Sequence, residues 1–270
     1  MDCVSEPISS ASNPLVKRLR ALSDRRARTR EQAFVVEGVA PVWQAVEAAA
    51  RIEVLVCCTE LLADSPAVAM VEQQAAFGVR VAELTRELFE RVSGRDGPSG
   101  LAAIISSSTL AAHDLRVATD GFLVAAHEMS NPGNLGTVIR TAEALGADGL
   151  LLVGGGADPF SPQAVKASMG SLFHLPIARL PDLGSFFDWA EDTGVRTVTS
   201  SARTGIEVAG ADLSGPVVLL LGAERTGLPT EAIDRSDLAV AIPMAGRATS
   251  FNVAVAAGIL MYEASRQLRR

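Results

Sequence analysis

The sequence predicts an α/β protein in two parts: a small N-terminal α/β domain and a larger C-terminal domain built around a parallel sheet. Three observations carry this expectation. Short apolar runs alternate with helical patterns along most of the chain, as βα units do. Runs of the second half, such as Gly149–Val153 and Val217–Leu221, lack polar alternation, as expected of strands covered by helices on both faces. Between the halves, Ser106–Thr119 is polar and irregular and reads as a linker. It divides the chain into residues 1–108, a linker at 109–119 and residues 120–270. The chain has 270 residues, 48% of them hydrophobic, which is enough for two modest cores.

In order, residues 13–32 form one basic helix entered through Asn13–Pro14. Phe34–Val36 is a short apolar run, and a helical pattern then continues to about Arg51. Ile52–Cys58 is a buried strand, Ser65–Phe77 a helix, Val79–Glu83 a strand and Thr85–Val92 a helix. Gly94–Gly100 (GRDGPSG) is a loop, and Leu101–Ser106 a further strand. Past the linker, strands are expected at Gly121–Ala126, Gly149–Val153, Val195–Ser200, Val217–Leu221 and Leu238–Ile242. Helices are expected at about 134–146, 161–169, 182–193, 229–235 and 250–268.

Composition narrows the function classes. No stretch approaches the ~18 apolar residues of a membrane span, and the opening MDCVSEPISSASNP lacks a secretory pattern, so a cytoplasmic protein is expected. Cys3, Cys57 and Cys58 are badly placed for a disulfide framework, and the adjacent pair in IEVLVCC suits buried packing. The net charge of −7 argues against a generally basic surface. Yet Lys17, Arg18, Arg20, Arg25, Arg26, Arg28 and Arg30 crowd one segment, opposed locally by Asp24 and Glu31. That segment is either a solvated helix face or a phosphate-contacting arm.

Chemistry concentrates in three polar, glycine-bearing blocks. In Asn131–Gly149 a strand turns through Ser130–Asn131–Pro132–Gly133 into a helix, from which Asn134 and Arg140 project toward the strand ends. Arg140 and Glu143 are also spaced to pair. In Leu219–Pro229 a strand enters a loop where Gly222 and Gly227 let backbone approach a ligand and Glu224 meets the cleft. In Ile242–Gly258, Ser250 is placed to cap the last helix, with Asn252 in its first turn and small residues (Ala254, Ala256, Ala257, Gly258) behind it.

These blocks resemble the three motifs of the SpoU/TrmH group of SPOUT RNA 2′-O-ribose methyltransferases, over residues 120–268 and in order. The front of the chain, from Ile8 to Gly38 and again at GPSGLAAI, resembles the substrate-binding domain attached to many of them. The resemblance implies a trefoil-knotted catalytic domain that binds S-adenosylmethionine and acts as a homodimer on RNA, with neither metal nor membrane. Carried over by position, the catalytic set is Asn134, Arg140, Glu224, Ser250 and Asn252. The cofactor-binding set is Leu221, Gly222, Ile242, Met244 and Phe251. Lys17, Arg18, Arg25, Arg26, Arg28 and Arg30 are the expected RNA contacts. The family commonly has Ser-Leu-Asn where this chain has Ser250–Phe251–Asn252, often serine at Ala254, and aspartate near Glu128.

The expected reaction moves a methyl group to a ribose 2′-hydroxyl, with ribosomal RNA favoured over transfer RNA. A guanidinium hardly deprotonates, so Arg140 is expected to bind the neighbouring phosphate and steady developing oxyanion charge. His127, at a strand end, is the rival base, although a lone histidine there is more often structural. Gly154–Gly155–Gly156 follows a strand, but ADPFSP does not open a helix directly, which argues against a dinucleotide fingerprint. The alternatives are a tRNA 2′-O-methyltransferase and an RNA-binding relative without catalysis.

Overall fold

A computed structural model describes residues 6–94, 97–201 and 205–268. Cys3 and residues 95–96 of the Gly94–Gly100 loop lie outside them. Contacts divide the chain into two units, one of residues 1–108 with Phe160–Phe173, the other of Thr109–Pro159 with His174–Arg270.

The first unit contains α1 (Pro14–Ala21), α2 (Arg25–Glu31), β1 (Ala33–Glu37), α3 (Val39–Glu47), β2 (Ile52–Cys57), α4 (Thr59–Leu62), α5 (Ala67–Ala76), β3 (Arg80–Glu83), α6 (Arg86–Val92) and β4 (Leu101–Ser106). The expected single basic helix is two. Asp24 sits in the run of arginines as the N-cap of α2, its carboxylate accepting from Arg26 N–H at 2.8 Å and Ala27 N–H at 3.3 Å. Arg28 Nη1 closes the break by donating to the carbonyls of Leu22 at 2.9 Å and Ser23 at 2.8 Å.

The strands form a mixed sheet in the order β1-β4-β2-β3, with β2 and β3 parallel and the other pairs antiparallel. Alternation along each strand sorts side chains onto two faces. Val54, Val56, Ala102 and Ile104 meet Leu15, Val16, Leu88 and Phe89 in one core cluster. On β1, Phe34 instead stacks against Phe160 and Phe173, with ring centroids 4.9 and 6.2 Å apart. Cys57 and Cys58 are both buried, and burial pushes the Cys57 thiol up to about 11.

The second unit opens with β5 (Leu110–Ala111), inside the stretch expected to be a linker. β5 pairs with a later strand, and Ala112 O accepts from Trp189 Nε1 at 3.0 Å, so this segment is bound into the fold. There follow β6 (Phe122–His127), α7 (Pro132–Ala144), β7 (Gly149–Val153), α8 (Pro162–Ser168), β8 (Ile177–Leu180), α9 (Leu183–Thr193), β9 (Arg196–Ser200), β10 (Ile206–Glu207), β11 (Val217–Leu221), α10 (Thr230–Arg235), β12 (Leu238–Ala241) and α11 (Val253–Leu268). The helix expected at 161–169 forms as α8, but it packs on β1 and so groups with the first unit. Strand β8 is an addition to the expected set.

Every pairing in this second sheet is parallel, in the order β10-β12-β9-β11-β6-β7-β8-β5. From β6 the chain proceeds outward through β7 and β8, then returns to build the other side beginning at β9 and β11. The order therefore reverses beside β6, and loops at such a reversal leave a crevice at the carboxyl ends of the strands. The first and second blocks leave the adjacent strands β6 and β11. The third leaves β12.

Candidate active site

The first block is a turn ending in a capped helix. Asn131 is the N-cap of α7, its Oδ1 accepting from Gly133 N–H at 2.8 Å and Asn134 N–H at 3.1 Å, with Pro132 occupying the first helical position. Asn134 thus stands in the first turn, its backbone N–H taken by the Asn131 cap.

Glu224, in the loop after β11, reaches across to this turn. Its carboxylate accepts from Ser130 N–H and Ser130 Oγ, both at 3.1 Å, from Asn131 N–H at 3.0 Å and from Asn134 Nδ2 at 3.2 Å. Burial works to raise its pKa, but the amides of Ser130 and Asn131 and the Asn134 side chain outweigh that and hold it at about 2. At neutral pH Glu224 is ionised and saturated with donors. It is a clip between two loops, unsuited to taking a proton.

The third block joins the same chain of bonds. Asn252 Nδ2 donates to Asn134 Oδ1 at 3.2 Å, while Asn252 Oδ1 accepts from Ala254 N–H at 2.9 Å. The orientations enforce one another: a carboxylate only accepts, so Asn134 turns its NH₂ to Glu224 and its oxygen to Asn252. Capping of α11 therefore falls to Asn252, which corrects the role expected of Ser250. Ser250 is exposed and makes no hydrogen bond among the described residues.

A cavity of about 680 Å³ opens between the second and third blocks, bounded by Gly222, Glu224, Ile242, Met244, Ser250 and Phe251. Its volume falls within the ~300–1,000 Å³ of small-molecule sites, and its walls combine apolar side chains with hydroxyls and loop backbone. Those residues suit a nucleoside-bearing methyl donor. Leu221 is 1% exposed and does not line the cavity. The sequence pattern has Gly222 letting backbone approach a ligand, but its missing side chain answers to the chain itself: a Cβ there would lie 2.3 Å from Gly227 C and 2.5 Å from Leu228 N. Arg225, Thr249 and Asp234 also line the cavity, beyond the set expected from sequence. The first two sit inside the blocks, whereas Asp234, on α10, carries no sequence signal.

Arg140 stands apart. It is exposed on α7, borders no part of this cavity, and makes no hydrogen bond or ion pair among the described residues, so the spacing with Glu143 does not produce a pair. His127 is 8% exposed with its Nδ1 unpartnered among the described residues, and burial lowers its pKa against the opposing pull of Glu128. It too is absent from the cavity wall.

The basic segment divides. Lys17, Arg25, Arg26 and Arg30 are exposed. Arg18 is held between Glu31 and Glu53 at 2.9 and 2.7 Å, and Arg30 also reaches Glu31 at 3.1 Å. Arg28 is 5% exposed and committed to the α1–α2 break, so its expected place on an RNA-facing surface is corrected. No group of three His, Cys, Asp or Glu side chains converges on a metal position among the described residues.

Comparison with known proteins places this arrangement. The model of the SpoU rRNA methylase family matches residues 121–262, spanning all three blocks and more than half of the chain. The chain belongs to the SpoU rRNA methylase family. The model of the MRM3-like substrate binding domain matches residues 13–103, so this SpoU methylase carries a substrate-binding domain ahead of the catalytic one. It is 34% identical over 252 residues to a 23S rRNA (uridine(2479)-2′-O)-methyltransferase of Streptomyces viridochromogenes, covering 91% of this chain and 87% of the relative. It is 29% identical over 255 residues to the 23S rRNA (guanosine(2553)-2′-O)-methyltransferase RlmP of Bacillus subtilis, covering 94% and 97%. The AdoMet-bound rRNA methyltransferase of Sinorhizobium meliloti superposes with a TM-score of 0.88 at 36% identity, covering 97% of each chain. AviRb of Streptomyces viridochromogenes, in complex with AdoMet, gives 0.84 at 32%, covering 94% and 98%. As a member of this family, the chain is a methyltransferase that uses S-adenosylmethionine.

Proposed function

We propose that this SpoU methylase moves the methyl group of S-adenosylmethionine to a ribose 2′-hydroxyl of ribosomal RNA, with 23S rRNA the favoured substrate. The observation that carries the reading is the bonded series Glu224–Asn134–Asn252 beside the cavity, which ties the three blocks into one site. The two 23S rRNA 2′-O-methyltransferases it resembles support the choice of RNA and of acceptor atom. The trefoil knot implied by the resemblance belongs to the same reading.

When bound, the sulfonium donor supplies an electrophilic methyl group. The residues then have to orient a weak nucleophile and let its proton leave. Asn134 and Asn252, held by Glu224 and by the α11 cap, position the ribose. Ser250, with no hydrogen bond to another described residue, contacts the ribose or the donor. Gly222, Ile242, Met244 and Phe251 wall the donor. Arg140 binds the phosphate beside the target ribose and stabilises charge growing on the 2′-oxygen. The new O–CH₃ bond replaces the S–CH₃ bond, and the hydroxyl proton leaves to that phosphate or to solvent. Glu224 is a poor acceptor, because four donors already occupy its carboxylate and hold its pKa at about 2.

The enzyme acts as a homodimer through α7 and α11. Ala254 and Ala257 are buried inside the chain and are not the contact surface, whereas Thr137, Ala144, Val255 and Tyr262 are exposed along the two helices. Lys17, Arg25, Arg26 and Arg30 of the N-terminal unit contact RNA. No helix among the described residues is long and apolar enough to cross a membrane, and the proposed compartment is the cytoplasm, where ribosomal RNA is found. The deciding experiment incubates the enzyme with radiolabelled methyl donor and unmodified 23S rRNA, 16S rRNA or tRNA, and maps the labelled nucleotide. Label confined to tRNA, or on a base, would overturn the reading. Absence of donor binding would favour a relative without catalysis.

A further inference from the structure

The Gly154–Gly155–Gly156 run has no part in the reaction described so far, yet it lies against the turn that feeds the site. Gly156 has φ +124°, and a Cβ built on it would stand 2.7 Å from the Met129 carbonyl oxygen. Ala157 N–H donates to that same oxygen at 2.7 Å. A Cβ on Gly154 would stand 3.3 Å from Glu128 Cγ. Glu128 is itself left-handed, with φ +50°, and its N–H donates to Val153 O at 3.1 Å. A non-glycine residue keeps such a conformation only where its surroundings enforce it.

The consequence follows from peptide geometry. The Met129 carbonyl and the Ser130 N–H are two ends of one planar unit. Whatever fixes the oxygen also aims the N–H, and that N–H is a donor to Glu224, followed by the Asn131 N–H. Glu224 in turn holds Asn134. The turn is therefore gripped from two sides, by the glycine loop at its carbonyl and by Glu224 at its amides. At Gly156 backbone alone fits.

We infer that Gly156, with Gly154 and Ala157, braces the Glu128–Asn131 turn, and that Gly156 is a positioning residue for methyl transfer, acting through the Met129–Ser130 peptide and Glu224 on Asn134. This rests on the reading that Asn134 and Glu224 serve the reaction. The brace explains the glycines by a contact within the protein instead of a bound phosphate. Moving the Met129 oxygen to an ordinary contact distance tilts the Ser130 amide and loosens the Glu224 clip, without touching the residues that wall the donor cavity apart from Glu224.

The test compares Gly156→Ala with Gly155→Ala, where a Cβ meets nothing within 4 Å. Ala157→Pro serves as a second variant, removing the N–H to Met129 without a new Cβ at position 156. For Gly156→Ala, kcat on the RNA substrate is expected to fall roughly tenfold or more, since displacements well under 1 Å already misalign reacting groups. S-adenosylmethionine affinity by calorimetry should stay within about twofold, and the Glu224 carboxyl, followed by ¹³C NMR, should titrate above its original value. Ala157→Pro should act in the same direction, and Gly155→Ala should match the parent. Parental kcat in both Gly156→Ala and Ala157→Pro would overturn the proposal. So would equal loss in Gly155→Ala, or loss of kcat with the Glu224 titration unmoved. If Gly156→Ala does not fold, Ala157→Pro decides. Asn134→Ala and Glu224→Gln, assayed alongside, separate the two layers: parental activity in these sinks the underlying site reading, whereas their loss with unaffected brace variants sinks the brace alone.

Discussion

Asn134 Nδ2 donates to Glu224 Oε1 at 3.2 Å, joining residues 90 positions apart and fixing the first block to the second. With its NH₂ turned to Glu224, Asn134 presents its oxygen to Asn252 Nδ2, which donates to it at 3.2 Å. The three blocks are thus held in one arrangement before any substrate arrives. Preorganisation of this kind is what orientation catalysis requires.

Glu224→Gln should disable the clip. A neutral amide presents an NH₂ where the carboxylate met only donors, leaving at least one of the Ser130, Asn131 and Asn134 groups unsatisfied. Turnover should drop at least tenfold, and stability at pH 7 should fall by about 1 kcal/mol, the scale of one hydrogen bond. The carboxyl's folded value of about 2 lies below its ordinary 4.5, so its stabilising contribution is complete above about 4.5 and is lost as pH falls toward 2. Melting curves between pH 7 and pH 2 should therefore show a shallower acid decline in Glu224→Gln than in the parent. Identical slopes would contradict the assignment.

Arg140→Ala should abolish methylation and leave donor binding almost intact, because Arg140 neither lines the cavity nor supports another side chain among the described residues. Arg140→Lys keeps the charge but loses the forked donor geometry, and should recover only part of the rate. Calorimetry with S-adenosylmethionine and single-turnover methylation distinguish the outcomes. A matching loss of donor affinity would move Arg140 into the binding site.

Much of this is legible in the sequence because it is local. Val217–Leu221 and Gly149–Val153 are strands by composition alone, whereas the helix expected from about residue 134 begins at Pro132, with Asn131 of the expected turn as its cap. Elsewhere distant partners decide. The break between α1 and α2 hides within a continuous helical periodicity, because Asp24 resembles one more charge in a charged run until its carboxylate is seen on Arg26 N–H. β8 and the pairing of β5 depend on a sheet that the sequence cannot display. Among the site residues, Asn134, Glu224 and Asn252 are legible as types in a pattern. Their partners Ser130 and Asn131 hold Glu224 through backbone amides, which leave no side-chain signature, with Ser130 Oγ adding one side-chain bond. Gly222 does mark a close approach, but what comes close is the chain's own backbone at Gly227.

Phe34 is 2% exposed and stacks on Phe160 at 4.9 Å, so the first unit is completed by a segment that follows β7 in the chain. Phe34→Ala should cost about 3–5 kcal/mol, the usual range for a buried phenylalanine, as both ring stacks disappear. A chain truncated to residues 109–270 would leave Phe160–Phe173 without β1. It should expose apolar surface and bind a hydrophobic dye such as ANS, while retaining measurable affinity for S-adenosylmethionine. Chemical denaturation of the full-length variant and dye fluorescence of the truncation check the two claims separately.

Arginines in the basic segment should fall into two classes under salt titration. Lys17 and Arg26 are exposed, and Lys17→Ala or Arg26→Ala, each removing one cation from a phosphate, should reduce the slope of log K against log salt by about one, weakening all RNA sequences alike. Neither change should move the melting temperature appreciably. Arg28 is different, because its guanidinium satisfies the Leu22 and Ser23 carbonyls inside the fold. Arg28→Ala strands those carbonyls and should cost about 1–3 kcal/mol of stability. Its salt slope for RNA, measured well below the melting temperature, should match the parent's. A slope reduced as much as in Arg26→Ala would return Arg28 to the RNA surface.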